Sequence, residues 1–484
     1  MQRSTVLIEE KNESQVKIGI LISATGIGVF LASLDGTIIN ISLRTMKDSL
    51  GVSQSSIQWV IICYLLTMIA FTTIAGDLGD RISNKIIFQI GMFIFSIASL
   101  LCFFANSFTV LIIFRVLQGI GATGLVANGI AIITRFTTEE NRGLAIGLNS
   151  LIVAFAITLG PILGGVLTEY FGWPSIFLVN VPVGLLGLIW VQFAIPATKP
   201  IQKERRKADT IGSFLLASLL TLIVFGLSIF ESDVISNANR WAGISLGSSF
   251  ILLVMFIFWE RRSKAPIVDL AMFRNRRFII GIFTAIFAYM GLCVIIYQLP
   301  FFLQEIMELS QIETGLIILG TPVAMALSAV VAGSLSDRID AKYIATIGVA
   351  SMMIALIVGA VFVTFSVPIW LIVLIAVIIG FSLGAFIAPN NNSVMSAAPK
   401  EKLGVANGML SLSTNFGFSL GTALATSVFV INQNFFQRIN GGDLGDPSNY
   451  IPAMRVLFGV FAFIMLLTAI LSYFRGSEDR KNKR

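Results

Sequence analysis

The sequence predicts an all-α polytopic membrane protein: two six-helix repeats with two extra helices inserted between them, 14 transmembrane helices in total. Three observations carry this reading. Hydrophobic residues make up 56% of the 484-residue chain and charged residues only 12%, against about 25% charged in a soluble domain, so no single soluble core can hide the apolar surface. Apolar runs of about 20 residues, long enough to cross a hydrocarbon layer of about 30 Å, recur from end to end between short polar stretches. Two stretches also recur at a spacing of about 260 residues: "GDLGDRI" at 76–82 returns as "GSLSDRI" at 333–339, and "RGLAIGL" at 142–148 as "LGVANGM" at 403–409.

Taken in order, the apolar runs predict spans near 18–43, 56–76, 86–104, 109–134, 144–167 and 175–197, then 210–230 and 243–260, then 278–302, 314–334, 344–364, 369–391, 404–430 and 452–474. A β-barrel is excluded, because runs such as Trp370 to Ile379 (WLIVLIAVII) do not alternate in polarity. The even count puts both termini on one side. All but six of the 33 Lys and Arg (Arg44, Lys47, Arg115, Arg240, Arg438 and Arg455) fall in tails and loops on that side, including "KERRK" at 203–207 and "RNRR" at 274–277. The positive-inside rule makes that side cytoplasmic. The organisation expected is a cytoplasmic tail (1–17), an N-terminal half (18–197), two inserted helices with flanking basic loops (198–277), a C-terminal half (278–474) and a basic cytoplasmic tail (475–484).

Composition removes several function classes. Cys63, Cys102 and Cys293 lie inside apolar runs, and the chain has no histidine, so neither a disulfide framework nor a Cys/His metal site is expected. The first seventeen residues have no small-residue cleavage pattern and read as a tail. The net charge of +7 is a topology signal with a share in binding anionic lipid headgroups, and no nucleic-acid partner is expected. No GxxxxGK[ST] loop occurs; the energy for any transport is expected from an ion gradient, without a cofactor or an enzymatic step.

Four stretches then narrow the class. "LDGTIIN" (Leu34 to Asn40), "GDLGDRISNK" (Gly76 to Lys85), "RVLQGIGA" (Arg115 to Ala122) and "LGPILGG" (Leu159 to Gly165) occur in this order. Together they resemble the motifs of the major facilitator superfamily, in its 14-helix drug:proton antiporter branch, over a stretch from Asp35 to about Leu424. The resemblance implies the major facilitator fold and proton-coupled export. The chain departs from the pattern at Arg44, where proline is usual, at Ser83 and Asn84, which replace Gly-Arg, and at Pro174, where arginine is usual.

Asp35 is the one acid deep in a predicted span. An ionised carboxylate in hydrocarbon costs at least about 2.5 kcal/mol, so it faces the bundle interior, finds a partner or stays protonated. A site that alternates between wet and dry surroundings takes up a proton on one side and releases it on the other. The competing reading is a carboxylate capped by Ser33 or Thr37 in a polar kink. Arg115 is the one basic residue deep in a span, and it requires acceptors: Asp35, backbone carbonyls, or a substrate anion. Either it forms a proton-coupling pair with Asp35 or it is a structural clamp between helices. Repeat symmetry carries Asp35 onto Leu292 and Arg115 onto Ala376, so proton machinery is expected mainly in the N-terminal half.

Gly76, Asp77, Gly79, Asp80 and Arg81, with Asp337 and Arg338 in the repeat, are expected to bond across cytoplasmic helix ends and to set the cost of opening inward. In the motif at Gly160, Pro161, Gly164 and Gly165, proline removes an amide donor and the glycines admit a close backbone, which with Gly147 predicts a tightly packed fifth helix. In the resembling antiporters this element seals one conformation against ion leak. Substrate-cavity candidates are Asn40, Gln118, Asn149, Gln298, Asn391 and Asn415; Asn390, Asn392 and Asn407 offer the same chemistry, and helix-helix bonding is the commoner use of such groups. Glu231, Asp233, Glu305, Glu308 and Glu313 fall in outer loops or at outer helix ends, with Glu231 and Glu305 as candidates for a pore mouth, and the longest outer loop is expected at Asn432 to Ile451.

The expected function is therefore proton-coupled antiport exporting amphipathic or cationic small molecules, by a monomer in the plasma membrane with both termini cytoplasmic. The alternative is a dedicated proton-coupled transporter of one metabolite, amino acid or lipid. A non-transporting receptor or scaffold is disfavoured by the intramembrane Asp and Arg.

Overall fold

A computed structural model describes residues 17–196, 209–229, 237–263, 271–336, 339–399, 403–443 and 445–476. Among the described residues there is no strand, and 14 helices are long and apolar enough to cross a membrane. They are α1 (Ile18–Leu50), α2 (Trp59–Arg81, preceded by the short helix Gln54–Ile57), α3 (Asn84–Phe103), α4 (Phe108–Phe136), α5 (Glu139–Phe171), α6 (Asn180–Ala194, preceded by Ser175–Leu178), α7 (Thr210–Ser228), α8 (Ala238–Glu260), α9 (Arg276–Cys293, prolonged to Ile306), α10 (Gln311–Ser336), α11 (Ala341–Phe362), α12 (Ile369–Ala397), α13 (Leu403–Asn440) and α14 (Pro447–Tyr473).

Each expected span is present, and most helices outrun their apolar stretch. Bilayer thickness sets the length of the apolar window, whereas a helix ends only where its cap chemistry says so. Ser83 and Ser107 open α3 and α4 by accepting from the amides of Ile86 and Val110, and α1 runs on to Gly51, whose φ of 64° suits glycine. The clearest correction is the outer loop expected at Asn432 to Ile451. Helix α13 continues through Asn440, and the chain turns only at Gly441 and Gly442, with φ of 74° and 77°. Asp446 then caps α14, its carboxylate accepting from the Ser448 amide, which holds the carboxyl below its usual range. Polar composition suggested a loop, but the helix stops only at the first residues in the left-handed region.

The two halves repeat their packing. In the N-terminal half α1 packs on α5, α2 and α3 on α4, and α3 and α1 on α6; the same pairings recur as α9 on α13, α10 and α11 on α12, and α11 and α9 on α14. Each half has its own apolar core, centred on residues such as Phe88, Met92 and Phe95 in one and Met352, Leu457 and Phe461 in the other. The halves meet along two seams, α5 against α10 and α2 against α13. The inserted α7 packs on α8 and lies against the second seam, touching both α2 and α13. Val224 and Leu227 of α7 join Ile62 and Leu66 of α2 and Ala423 of α13 in one apolar cluster there.

The end of the bundle holding Ile18, Arg81, Asn84 and Tyr473 is called here the terminal end; the opposite one, holding Leu50, Phe103, Phe108 and Asn440, is the far end. Residues 1–16 and 477–484 of the tails, the "KERRK" loop, Glu231 and Asp233 lie outside the described residues.

Candidate functional site

Five helices of the N-terminal half converge on Asp35. It is 1% exposed, and Arg115, seven residues into α4, is wholly buried. Arg115 Nη1 donates to Asp35 Oδ2 at 2.5 Å and to Gln118 Oε1 at 2.6 Å, while its Nε donates to the Val60 carbonyl of α2 at 2.9 Å. The other carboxylate oxygen accepts from Gln118 Nε2 at 2.8 Å and from Asn180 Nδ2 of α6 at 3.1 Å. Gln118 also donates to Ser99 Oγ on α3 at 2.8 Å. The guanidinium lies over the ring of Tyr64, 4.3 Å from its centroid, with Phe177 at 5.8 Å. Thr37 spends its hydroxyl on the carbonyls of Ser33 and Leu34, so the carboxylate's partners come from other helices and not from a local cap.

Two desolvated charges tolerate this setting because each is bonded several times over. A planar guanidinium directs donors to a carboxylate, an amide and a carbonyl from one fixed fork, a geometry that a compact ammonium does not have. Removing one member of such a pair leaves an uncompensated buried charge and costs about 3–5 kcal/mol. Chemically, the cluster offers one carboxylate able to hold a proton and one cation that must be re-accommodated when it does.

The second feature is the closed far end. Helix α9 widens into π turns at Val294–Gln298 and Phe302–Ile306, a distortion frequent at functional positions. These turns carry Gln298, Gln304 and Glu305 to the N-terminal half. Lys47 pairs with Glu305, Arg44 donates to the Gln304 carbonyl, and Gln304 Nε2 donates to the Ile41 carbonyl at 3.0 Å. Gln58 donates to Gln298 Oε1 at 3.3 Å and accepts from Thr426. Gln311 donates to Thr45 at 3.1 Å, and Glu169 accepts from the Ile312 amide at 3.1 Å. Between described residues, the hydrogen bonds joining the two halves all lie at this end. Arg44, a departure from the family pattern, therefore latches the halves together.

At the terminal end the charged loop is bonded within its own half. Arg81 pairs with Asp77 one turn earlier at 2.8 Å. Asn84 donates to Asp80 at 3.3 Å and to Asn128 of α4 at 3.1 Å. Gly79 is closed in by the Asn128 side chain, whereas Gly76 has only Ala127 nearby. Asp337 and Arg338 lie outside the described residues. The substitutions Ser83 and Asn84 thus supply a helix cap and a bridge from α2 to α4.

In the fifth helix the glycines divide. Gly160 and Gly164 lie against Thr37 and Ile38 of α1, whereas Gly165 faces the Gln311 carbonyl and Gly315 of α10 faces the Pro161 carbonyl across the seam. Gly147 has open space beside it, which corrects the expectation that it takes part in tight packing. Of the cavity candidates, Gln118 belongs to the Asp35 cluster and Gln298 to the far seam. Asn40 and Asn149 are buried, Asn415 is half-buried and Asn391 is exposed. Asn390 bonds the Gly281 carbonyl, joining α12 to α9. Asn180, Ser99 and Gln58 were not singled out from the sequence; a neutral polar residue in an apolar run carries no mark that tells its partner.

The family model described as Major Facilitator Superfamily matches residues 25–422 and 283–484. Among similar proteins, the Riboflavin transporter RibZ of Clostridioides difficile (strain 630) is 33% identical over 449 residues, which is 93% of this chain and 95% of that one. The Multidrug resistance protein Stp of Mycobacterium tuberculosis is 29% identical over 409 residues, 84% of this chain and 74% of that one. Among solved structures, a bacterial homologue of the human lysosomal transporter Spinster, in an inward-facing and unoccupied conformation, superimposes with a TM-score of 0.68 over 95% of this chain and 96% of that one, at 16% identity, a likeness of fold. Repeat architecture, helix count and family match agree: the chain belongs to the Major Facilitator Superfamily and is a secondary transporter of that kind.

Proposed function

We propose that the protein is a proton-coupled antiporter that exports amphipathic or cationic small molecules, with Asp35 as the coupling carboxylate. The observation that carries this reading is the wholly buried Asp35–Arg115 pair, set where five helices of one half meet. Protonating Asp35 removes the counter-charge of Arg115 and leaves a buried cation that draws the surrounding helices to new acceptors. Deprotonation restores the pair. An equilibrium between two arrangements of the halves is thereby biased by one proton. On this reading both termini are cytoplasmic, the monomer sits in the plasma membrane with its far end outward, and the arrangement described is the inward-open one that collects substrate. Asp77, Asp80 and Arg81 serve gating, together with Asp337 and Arg338. Asn40, Asn149, Asn391 and Asn415 are the polar candidates for the substrate path. A relative named for multidrug resistance supports that substrate class.

A second reading is a dedicated transporter of one metabolite. The 33% identity to a riboflavin transporter across nearly the whole of both chains favours it. Everted vesicles with an acid interior, offered ethidium and riboflavin in parallel, separate the two. Gradient-driven accumulation of ethidium supports the first reading, and accumulation of riboflavin alone the second. In either case Asp35→Asn is expected to abolish uphill accumulation while sparing downhill exchange. Retained accumulation against a gradient by this variant would falsify the coupling role.

A further inference from the structure

Resting on that reading, we infer that Gln58 is the positioning residue that transmits the state of the Asp35–Arg115 pair to the closed far end. Gln58 stands at the break between the short helix Gln54–Ile57 and α2. It is 1% exposed, and its carboxamide spans the seam: Nε2 donates to Gln298 in the first π turn of α9, and Oε1 accepts from Thr426 of α13. It thus joins one helix of the N-terminal half to two of the C-terminal half.

Two residues later comes the other grip on the same turn. Arg115 Nε donates to the Val60 carbonyl while Nη1 holds Asp35, and Tyr64, one turn further along α2, lies under the guanidinium. The first turn of α2 is therefore held from one side by the charge pair and from the other by the opposite half. When Asp35 takes a proton, the guanidinium re-aims, and whatever it does to Val60 moves Gln58, whose two bonds have little slack because they are buried and directional. Losing them unlatches α9 and α13 from α2 near the apex of the closed end. The ring contact between Trp59 and Phe225 of α7, with centroids 5.5 Å apart, lies on the same turn and parts in the same motion. Among the described residues, the titratable groups facing the Asp35–Arg115 pair are Cys63 and Tyr64 on α2, Cys102 on α3 and Tyr297 on α9. Asp35 is the one carboxylate in the cluster.

The test reads the far-end separation against pH. Asn106 in the α3–α4 turn and Ser366 in the α11–α12 turn are exposed, and the native cysteines are buried, so spin labels at Asn106→Cys and Ser366→Cys report the distance between halves. The parent is expected to shift to longer distances on acidification, and Asp35→Asn to show a pH-independent distribution weighted to the long distance, with the short one still populated. Gln58→Leu is expected to lose the pH-dependent shift, and adding Asp35→Asn to it is expected to change nothing further. Thr426→Val, which keeps Gln58 and its bond to Gln298 in place, is expected to weaken the shift, so the inference stays testable if Gln58→Leu does not assemble. A Gln58→Leu or Thr426→Val protein that keeps the full shift of the parent overturns the role of Gln58 alone. A parent without any shift, matched by Asp35→Asn, overturns the proton-coupling reading and this inference with it.

Discussion

Asp35 and Arg115 are the clearest case in which one residue type, set in the wrong solvent, announces a site. Charge in hydrocarbon is expensive enough that it persists only where it is bonded or used, and here both members are enclosed and multiply bonded. Energetics and function separate by a double-mutant cycle. Arg115→Gln alone strands the carboxylate and is expected to destabilise the protein by about 3–5 kcal/mol, read as an earlier thermal unfolding in detergent. Adding Asp35→Asn to it removes the stranded charge, so most of that loss is expected to return, while uphill transport stays absent. Equal destabilisation by the single and the double variant would show that the two charges do not act as a pair.

At the level of the helix, the motif at 160–165 does two different jobs through three glycines. Gly160 and Gly164 receive α1, a contact within one half. Gly165 receives the backbone of α10 from the other half, where an added Cβ would lie 2.7 Å from the Gln311 carbonyl oxygen, a contact of the far-closed arrangement. Gly164→Val is therefore expected to cost about 1–3 kcal/mol by overpacking and to reduce the folded yield. Gly165→Ala is expected to leave thermal stability near that of the parent and to lengthen the distance between spin labels at Asn106→Cys and Ser366→Cys, because it weakens only the closed seam. A stability loss at Gly165 as large as at Gly164 would place its contact in both conformations. The helix as a unit also explains the misread loop before α14: Phe435 and Phe436 follow the polar "NQN" without any residue that demands a turn, so the helix proceeds to Gly441.

Across the whole molecule, two six-helix bodies carry two further helices, of which α7 lies on the α2/α13 seam and α8 packs on α7. At the far end α7 bonds α13 through the Ser427 hydroxyl, which donates to the Leu227 carbonyl at 2.6 Å. At the terminal end its Leu215 forms an apolar cluster with Phe256 of α8, against which Phe273 and Met409 of α13 pack. Contact with α2 is concentrated where the seam is closed, at Ile62 and Leu66. The proposed membrane orientation rests on the distribution of Lys and Arg. A single cysteine at Ser366 is expected to react with an impermeant reagent in intact cells, and one at Ser477, in the tail beyond the described residues, to react only after permeabilisation. Labelling at Ser477 without permeabilisation would invert the topology and, with it, the assignment of the closed end as outward.

Reading the chain alone determined the architecture, because hydrophobic length, charge placement and an internal repeat are local properties that survive without coordinates. It also marked Asp35 and Arg115, since a charge in an apolar run is visible wherever it sits. Tertiary structure alone decided who meets whom. Gln118 looked like a cavity amide and is a ligand of the Asp35 carboxylate; Asn180, 145 positions away from Asp35, completes the same cluster. Gln58 and Gln298 gain meaning only because a helix break and a π turn bring them together across a seam. Neutral amides have no intrinsic cost that fixes their partner in advance: an Asn or Gln in a span must bond something, and which group it bonds is set by the packing of helices far apart in sequence.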